Sequence, residues 1–223
     1  MKKYIIIAVT IGLSLTMMIG CETSDDITSD EYNAEIFAQI DGTIMAFSED
    51  SLSNEEITGL ILMREEEKLA RDVYLHLYET WGLRIFNNIA SSEATHMYAI
   101  KVLIDRYDLE DPVAEDVVGE FENENLAVLY SSLTAMGDSS FVNALSVGAT
   151  IEDLDIYDLM ELTVTADNDD ILFTYDNLTR GSRNHIRSYT SNLSRYGVVY
   201  SPQFISATLL DSILSTPKER GNW

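Results

Sequence analysis

Four long stretches of this chain space their apolar residues three and four apart, and each interrupts its own apolar face with an ionisable side chain. Residues 53–81 carry Ile57, Leu60, Met63, Ala70, Tyr74 and Leu77 on one stripe, with Glu67 seven places from both Leu60 and Tyr74. Residues 84–107 put Glu93 and His96 on the face marked by Ile89, Met97 and Ile100. In residues 140–162, Glu152 falls four after Gly148 and seven before Leu159, with Asp155 one turn on. In residues 169–195, His185 sits seven after Leu178 and four before Tyr189. A lone buried carboxylate costs enough that it normally takes up a proton. Several facing one another are worse, because like charges repel hardest in a low-dielectric interior.

Local signals set the helix ends. Ser53 and Glu56 form a capping box, and Gly82 stops the first helix after Trp81. "DLEDP" ends the second, Ser139 or Ser140 caps the third, and "TADNDD" opens the fourth before Gly197. A shorter helix is predicted over 124–135 and another in "ISATLLDSIL", while "GVVY" and "LTVT" are isolated strand signals. Four long amphipathic helices with one extended connection, between the second and third, predict an all-α four-helix bundle. The single long crossover is the connectivity of ferritin-like folds. The predicted layout is a signal peptide over 1–20, an acidic tether over 21–52 with a short helix in "EIFAQIDGTIMAF", the bundle over 53–196, and a C-terminal extension over 197–223.

Bound cations would reverse the electrostatic problem. Two divalent ions match the charge of Glu67, Glu93, Glu152 and Asp155, and His96 and His185 are neutral ligands for the same ions. Carboxylate with imidazole suits Fe, then Mn or Zn. Glu-x-x-His alone is a weak motif, and a single carboxylate on a stripe is often a rim residue reaching outward. The joint order carries the reading: Glu, then Glu-x-x-His, then Glu, then His, on successive long helices, which is the inward-facing plan of carboxylate di-iron bundles. His76 lies nine residues beyond Glu67, about half a turn around the helix, and is expected to face away.

"EEEKLARDVY" followed by "SSEATHM" resembles the first helix pair of rubrerythrin-type ferritin-like proteins. The run from "REEEKLARDVY" through "SRNHIRSY" looks like a bacterial and archaeal ferritin-like family designated a domain of unknown function. The resemblance implies a di-metal centre and, in the better-known relatives, oxygen or peroxide chemistry at iron. By matching positions it implies Glu67 as terminal ligand, Glu93 as the bridge, His96 on the first metal, and Glu152 and His185 on the second. One departure stands out: Ser182 occupies the place of a second bridging Glu, three before His185, which leaves Asp155 or a solvent-derived group to fill it. With a single cysteine there is no rubredoxin-like four-cysteine module, so redox turnover would need an external electron donor. Glu65 and Glu66 read as solvated neighbours. Arg71 and Arg183 read either as groups orienting the ligands or as surface ion pairs, and Tyr74 and Tyr189, on the ligand faces, either as ordinary core tyrosines or as groups that hydrogen-bond a ligand or guard against stray oxidation.

A formal charge of −24 and a pI near 4.2 exclude the basic footprint that nucleic acid requires. Lys2 and Lys3, an apolar run from Ile5 to Ile19, and "MIGC" resemble a bacterial lipoprotein signal, which implies cleavage before Cys21 and lipid attached to it. Several acyl chains at about 0.8 kcal/mol per buried CH2 would anchor the chain at the cell envelope. With Cys21 so used, no thiol remains for a disulfide. The expected function is an envelope-anchored di-metal oxidase, ferroxidase or peroxide scavenger, a homodimer being compatible with it. The alternatives are a metal-binding or sensing module without turnover and a metal-free scaffold.

Overall fold

The computed structural model describes residues 29–221 and 223, with side chains from residue 33. The signal-peptide and lipidation readings at residues 1–21 lie outside that range. Seven helices and no strand occur among the described residues: α1 (Ser29–Ile44), α2 (Asn54–Trp81), α3 (Arg84–Arg106), α4 (Glu124–Asp138), α5 (Phe141–Thr165), α6 (Asp169–Arg195) and α7 (Ala207–Leu214). The four long helices sit where the periodicity places them. "LTVT" is the last turn of α5, and "GVVY" is irregular chain after α6. No helix among the described residues is long and apolar enough to cross a membrane.

The caps follow the local chemistry. Ser53 Oγ accepts from the Glu56 amide, and the Glu56 carboxylate accepts from the Ser53 amide at 2.8 Å. Gly82 closes α2 in the left-handed conformation, φ 65°. Ser140 accepts from the Asn143 amide at the start of α5. The other oxygen of Glu56 accepts from the amides of Asp167 and Asn168, so one carboxylate caps α2 and also ties down the α5–α6 turn.

The long helices pack in the ring α2–α3–α6–α5. The short α2–α3 and α5–α6 turns make each of those pairs antiparallel. Glu56 ties the start of α2 to the end of α5, and at the other end Trp81 meets Phe141 edge-on at 5.9 Å. The order along the chain is therefore up, down, down, up, and the segment between α3 and α5 must travel the full length of the molecule. It does so against α2. Arg64 forks onto Asp111, Lys68 donates to the Val117 carbonyl, Arg71 grips Asp116, and Glu65 accepts from the Glu122 and Asn123 amides. α4 then packs on α2 and α5.

Three expectations change. Glu65 and Glu66 are buried: the crossover covers Glu65, and Glu66 lies against Asp158 of α5. Half of the expected tether belongs to the packed domain. Phe37 stacks on Tyr98 at 4.1 Å, Ile40 and Ile44 are fully buried, and Arg106 donates to the carbonyls of Ile44 and Phe47. The C-terminal extension is packed too. Ile205, Leu210 and Ile213 form a cluster with Ile156 and Ile186, while Asp153 accepts from the amides of Gln203, Phe204 and Ile205.

The main apolar core comes in two blocks. One holds Leu77, Phe86, Leu145 and Leu193, and the other Leu60, Leu103, Leu159 and Ile171. The ionisable residues of the four stripes occupy the layer between them.

Candidate metal centre

Each long helix delivers one or two groups to that layer. Glu67 comes from α2, Glu93 and His96 from one turn of α3, Glu152 from α5 and His185 from α6. Glu67, Glu93 and Glu152 are fully buried, and the His96 and His185 side chains are 5% and 11% exposed. They gather into two trios, Glu67–Glu93–His96 and Glu93–Glu152–His185, within each of which one ligand atom per residue lies within 4.8 Å of the others. Glu93 belongs to both. Nδ1 of His96 is 2.7 Å from one Glu93 oxygen, and Nδ1 of His185 is 2.9 Å from the other.

Several of these approaches are not hydrogen bonds. Both oxygens of Glu93 and Oε1 of Glu67 are buried without a hydrogen-bond partner among the described residues. Nitrogen and oxygen atoms that converge at short range without a proton on the line between them are arranged as ligand atoms around a cation are. Buried polar atoms otherwise find partners.

The electrostatics say the same. Burial pushes the Glu67 carboxyl up against the pull of His96, and raises Glu152 against the pull of His185. Burial also opposes ionisation of Glu93, but His185 and His96 on either side hold it well below the carboxylate range. Burial disfavours charge on the imidazoles, and the flanking carboxylates overcome it, taking His185 up to about 10. With protein groups alone, the layer must store protons on Glu67 and Glu152 to limit repulsion. Divalent ions would displace those protons and fill the same need.

Asp155 lies outside both trios. It is buried one turn beyond Glu152 and accepts a hydrogen bond from Ser182 Oγ at 2.9 Å. Arg71 pairs with Asp72 and Asp116, and Arg183 with Glu219, so neither touches the trios. His76 points away and meets Asp138 at 2.8 Å. Tyr74 donates to Glu152, and its ring lies 5.5 Å from that of Tyr189.

Three supporting residues carry little sequence signal. Ser92 Oγ is 3.1 Å from Nε2 of His185 and fixes the far side of that ring. A Cβ at Gly181 would fall 2.5 Å from the His96 ring, and one at Gly148 2.3 Å from the Tyr189 ring. Each glycine leaves room for an aromatic side chain of the neighbouring helix. Ser92 falls on the same face as His96, four residues earlier, and that spacing is the one clue the sequence offers.

This chain is thus an all-helical protein with a buried layer of carboxylates and imidazoles, and residues 56–217 identify its family. They match the family described as "Uncharacterized protein domain (DUF2202)", and the chain belongs to that family. The match extends through α7, so the segment after α6 is part of the family's domain. The chain is 52% identical over 178 residues to the "Uncharacterized protein MJ0754" of Methanocaldococcus jannaschii, an alignment covering 80% of this chain and 96% of the relative. The crystal structure titled as the hypothetical protein MJ0754 superposes with a TM-score of 0.76, covering 77% of this chain and 98% of that one.

Proposed function

We propose that this chain is a ferritin-like four-helix-bundle protein holding two divalent metal ions, iron first among them, and held by a lipid anchor at the bacterial cell envelope, facing the periplasm or exterior. The observation that carries the metal reading is the shared Glu93, which has an imidazole at each oxygen and no hydrogen-bond partner among the described residues for either. Glu67 and His96 complete one ion's protein ligands, and Glu152 and His185 the other's. Three protein ligands per ion leave coordination positions open, as at catalytic centres and unlike closed four-ligand structural sites. Bound iron would supply reduction of dioxygen or peroxide, or its own oxidation from Fe²⁺. The protein's part is to keep the centre dry, to orient His185 through Ser92, and to hold a proton on Tyr74 beside Glu152. Electrons would come from an external donor. The envelope location rests on the lipobox-like "MIGC" and the basic, apolar segment before it.

A second reading has its own support. Ser182 stands where a second bridging carboxylate would be, and Asp155 is engaged with that serine. With one bridge the second ion is held less firmly, as suits a protein that binds or passes on metal without turnover.

Metal analysis of the full-length protein decides. Two irons per chain with consumption of O2 or peroxide support the oxidoreductase. A redox-inert zinc supports the binding module. Absence of metal, with thermal stability unchanged by chelation, leaves a scaffold.

A further inference from the structure

Of the five groups in the two trios, His185 is the most exposed, and it lines an open groove. The other side of the centre is closed, with His96 packed against Gly181 and its ring 6.4 Å from that of Trp223. The groove has a volume of about 540 Å³ and runs between α3 and α6, with Ser92 and His185 at its floor. Asn88, Ser188 and Asn192 form its walls, and Lys218 and Glu219 of the C-terminal segment its rim. Arg183 and Arg187 neutralise Glu219. The walls themselves, Asn88, Asn184, Ser188 and Asn192 with Ile85 and Ile89, carry no charge, and Lys218 beside the paired Glu219 is confined to the rim.

Ser92 links this groove to the centre. Were Nδ1 of His185 committed to an ion beside Glu93 and Glu152, Nε2 would carry the ring proton and donate it to Ser92 Oγ, 3.1 Å away. That oxygen makes no other hydrogen bond among the described residues. Its own O–H is left to donate, and Ser92 borders the groove.

We infer that the groove between α3 and α6 is a binding site and entry for a small, uncharged, hydrogen-bonding molecule, and that Ser92 is the positioning residue that greets it with an O–H donor. The guest then lies one imidazole away from the ions. This rests on the metal-centre reading for what happens next, but the groove's reach to Ser92 stands on geometry alone.

The test has two arms. In full-length protein carrying Cys21→Ser and Ser92→Cys, the new thiol should react with methyl methanethiosulfonate, an uncharged probe. Adding Ser188→Trp, which fills the groove, should slow that labelling at least tenfold. Thr163→Trp, placed in a separate cavity bordered by Met160 and Leu172, should leave it unchanged. In iron-loaded protein with Ser92 intact, Ser188→Trp should keep its metal content and slow reaction with H2O2 by a similar factor. Labelling of the introduced thiol that ignores Ser188→Trp overturns the groove. So does an iron-loaded Ser188→Trp protein that reacts with H2O2 as fast as the parent. A parent chain that binds no metal overturns the metal-centre reading instead, while the labelling arm still decides whether the groove reaches Ser92.

Discussion

On the side of α2 that meets the crossover, Lys68 lies 2.6 Å from Asp72, and Asp72 also receives Arg71 and the Gly119 amide. Glu65 on that side accepts two backbone amides. On the side that meets α3 and α5, Glu67 is as deeply buried, yet one of its oxygens has no partner among the described residues, and it shares its trio with Glu93 and His96. One helix thus buries charge in two ways. Toward the crossover, Glu65, Lys68, Arg71 and Asp72 are each answered by an opposite charge or a backbone group of the chain itself. Inward, acidic groups outnumber their answers. The first arrangement is complete as protein, whereas the second asks for something the polypeptide does not contain.

That contrast can be broken at either side. The largest effect is expected from Lys68→Ala, which leaves Asp72 buried and short of its ammonium. Urea unfolding should show a loss of about 3–5 kcal/mol, the same with and without chelator. A loss that grows on metal removal would merge the two sides. Next comes Glu93→Ala. Metal content should fall from two ions per chain to one or none, and the drop in Tm on chelation should largely vanish. At a tenfold excess of metal over Kd, each lost ion removes about 1.4 kcal/mol. An unchanged metal ratio in this variant removes Glu93 from the bridging role.

A smaller effect tests the self-contained kind of burial at the start of α2. Glu56 is buried, which opposes its charge, but the Ser53, Asn168 and Asp167 amides bring it from 4.5 to about 2. Its folded value lies below its unfolded one, so its contribution is full above about pH 4.5 and disappears as pH falls toward 2. Glu56→Gln should remove roughly 2 kcal/mol of that acid-side slope and leave metal binding unaltered. A parent stability curve flat between pH 4.5 and 2.5 would contradict this.

The sequence made one side of α2 readable and concealed the other. Glu67, Glu93, His96, Glu152 and His185 interrupt apolar stripes, and an interruption in a periodic pattern is visible without coordinates. Glu65, Glu66 and Lys68 fill the rest of the same turns, and in "EEEKLAR" they look like a solvated face. Glu65 and Lys68 find partners in irregular chain some fifty residues away, where no periodicity announces them, and Glu66 meets Asp158 of α5. The acidic decoration around Ile36, Phe37, Ile40 and Ile44 likewise masked the packing of α1. Gly148 and Gly181 matter only because a ring from another helix comes close, which is a property of the assembled bundle. Asp155 shares the Glu152 face, as its spacing says, but its engagement with Ser182 is a tertiary fact.

Because the crossover and α4 close over the one flank that α3 and α5 leave open, residues 63–70 of α2 are buried around the entire helix. Water can reach those amides only when the domain comes apart as a whole, whereas α1 and α7, at the periphery of the bundle, can lift away singly. In hydrogen exchange the middle of α2 should be the last to take up deuterium, and its rate should report the free energy of global unfolding.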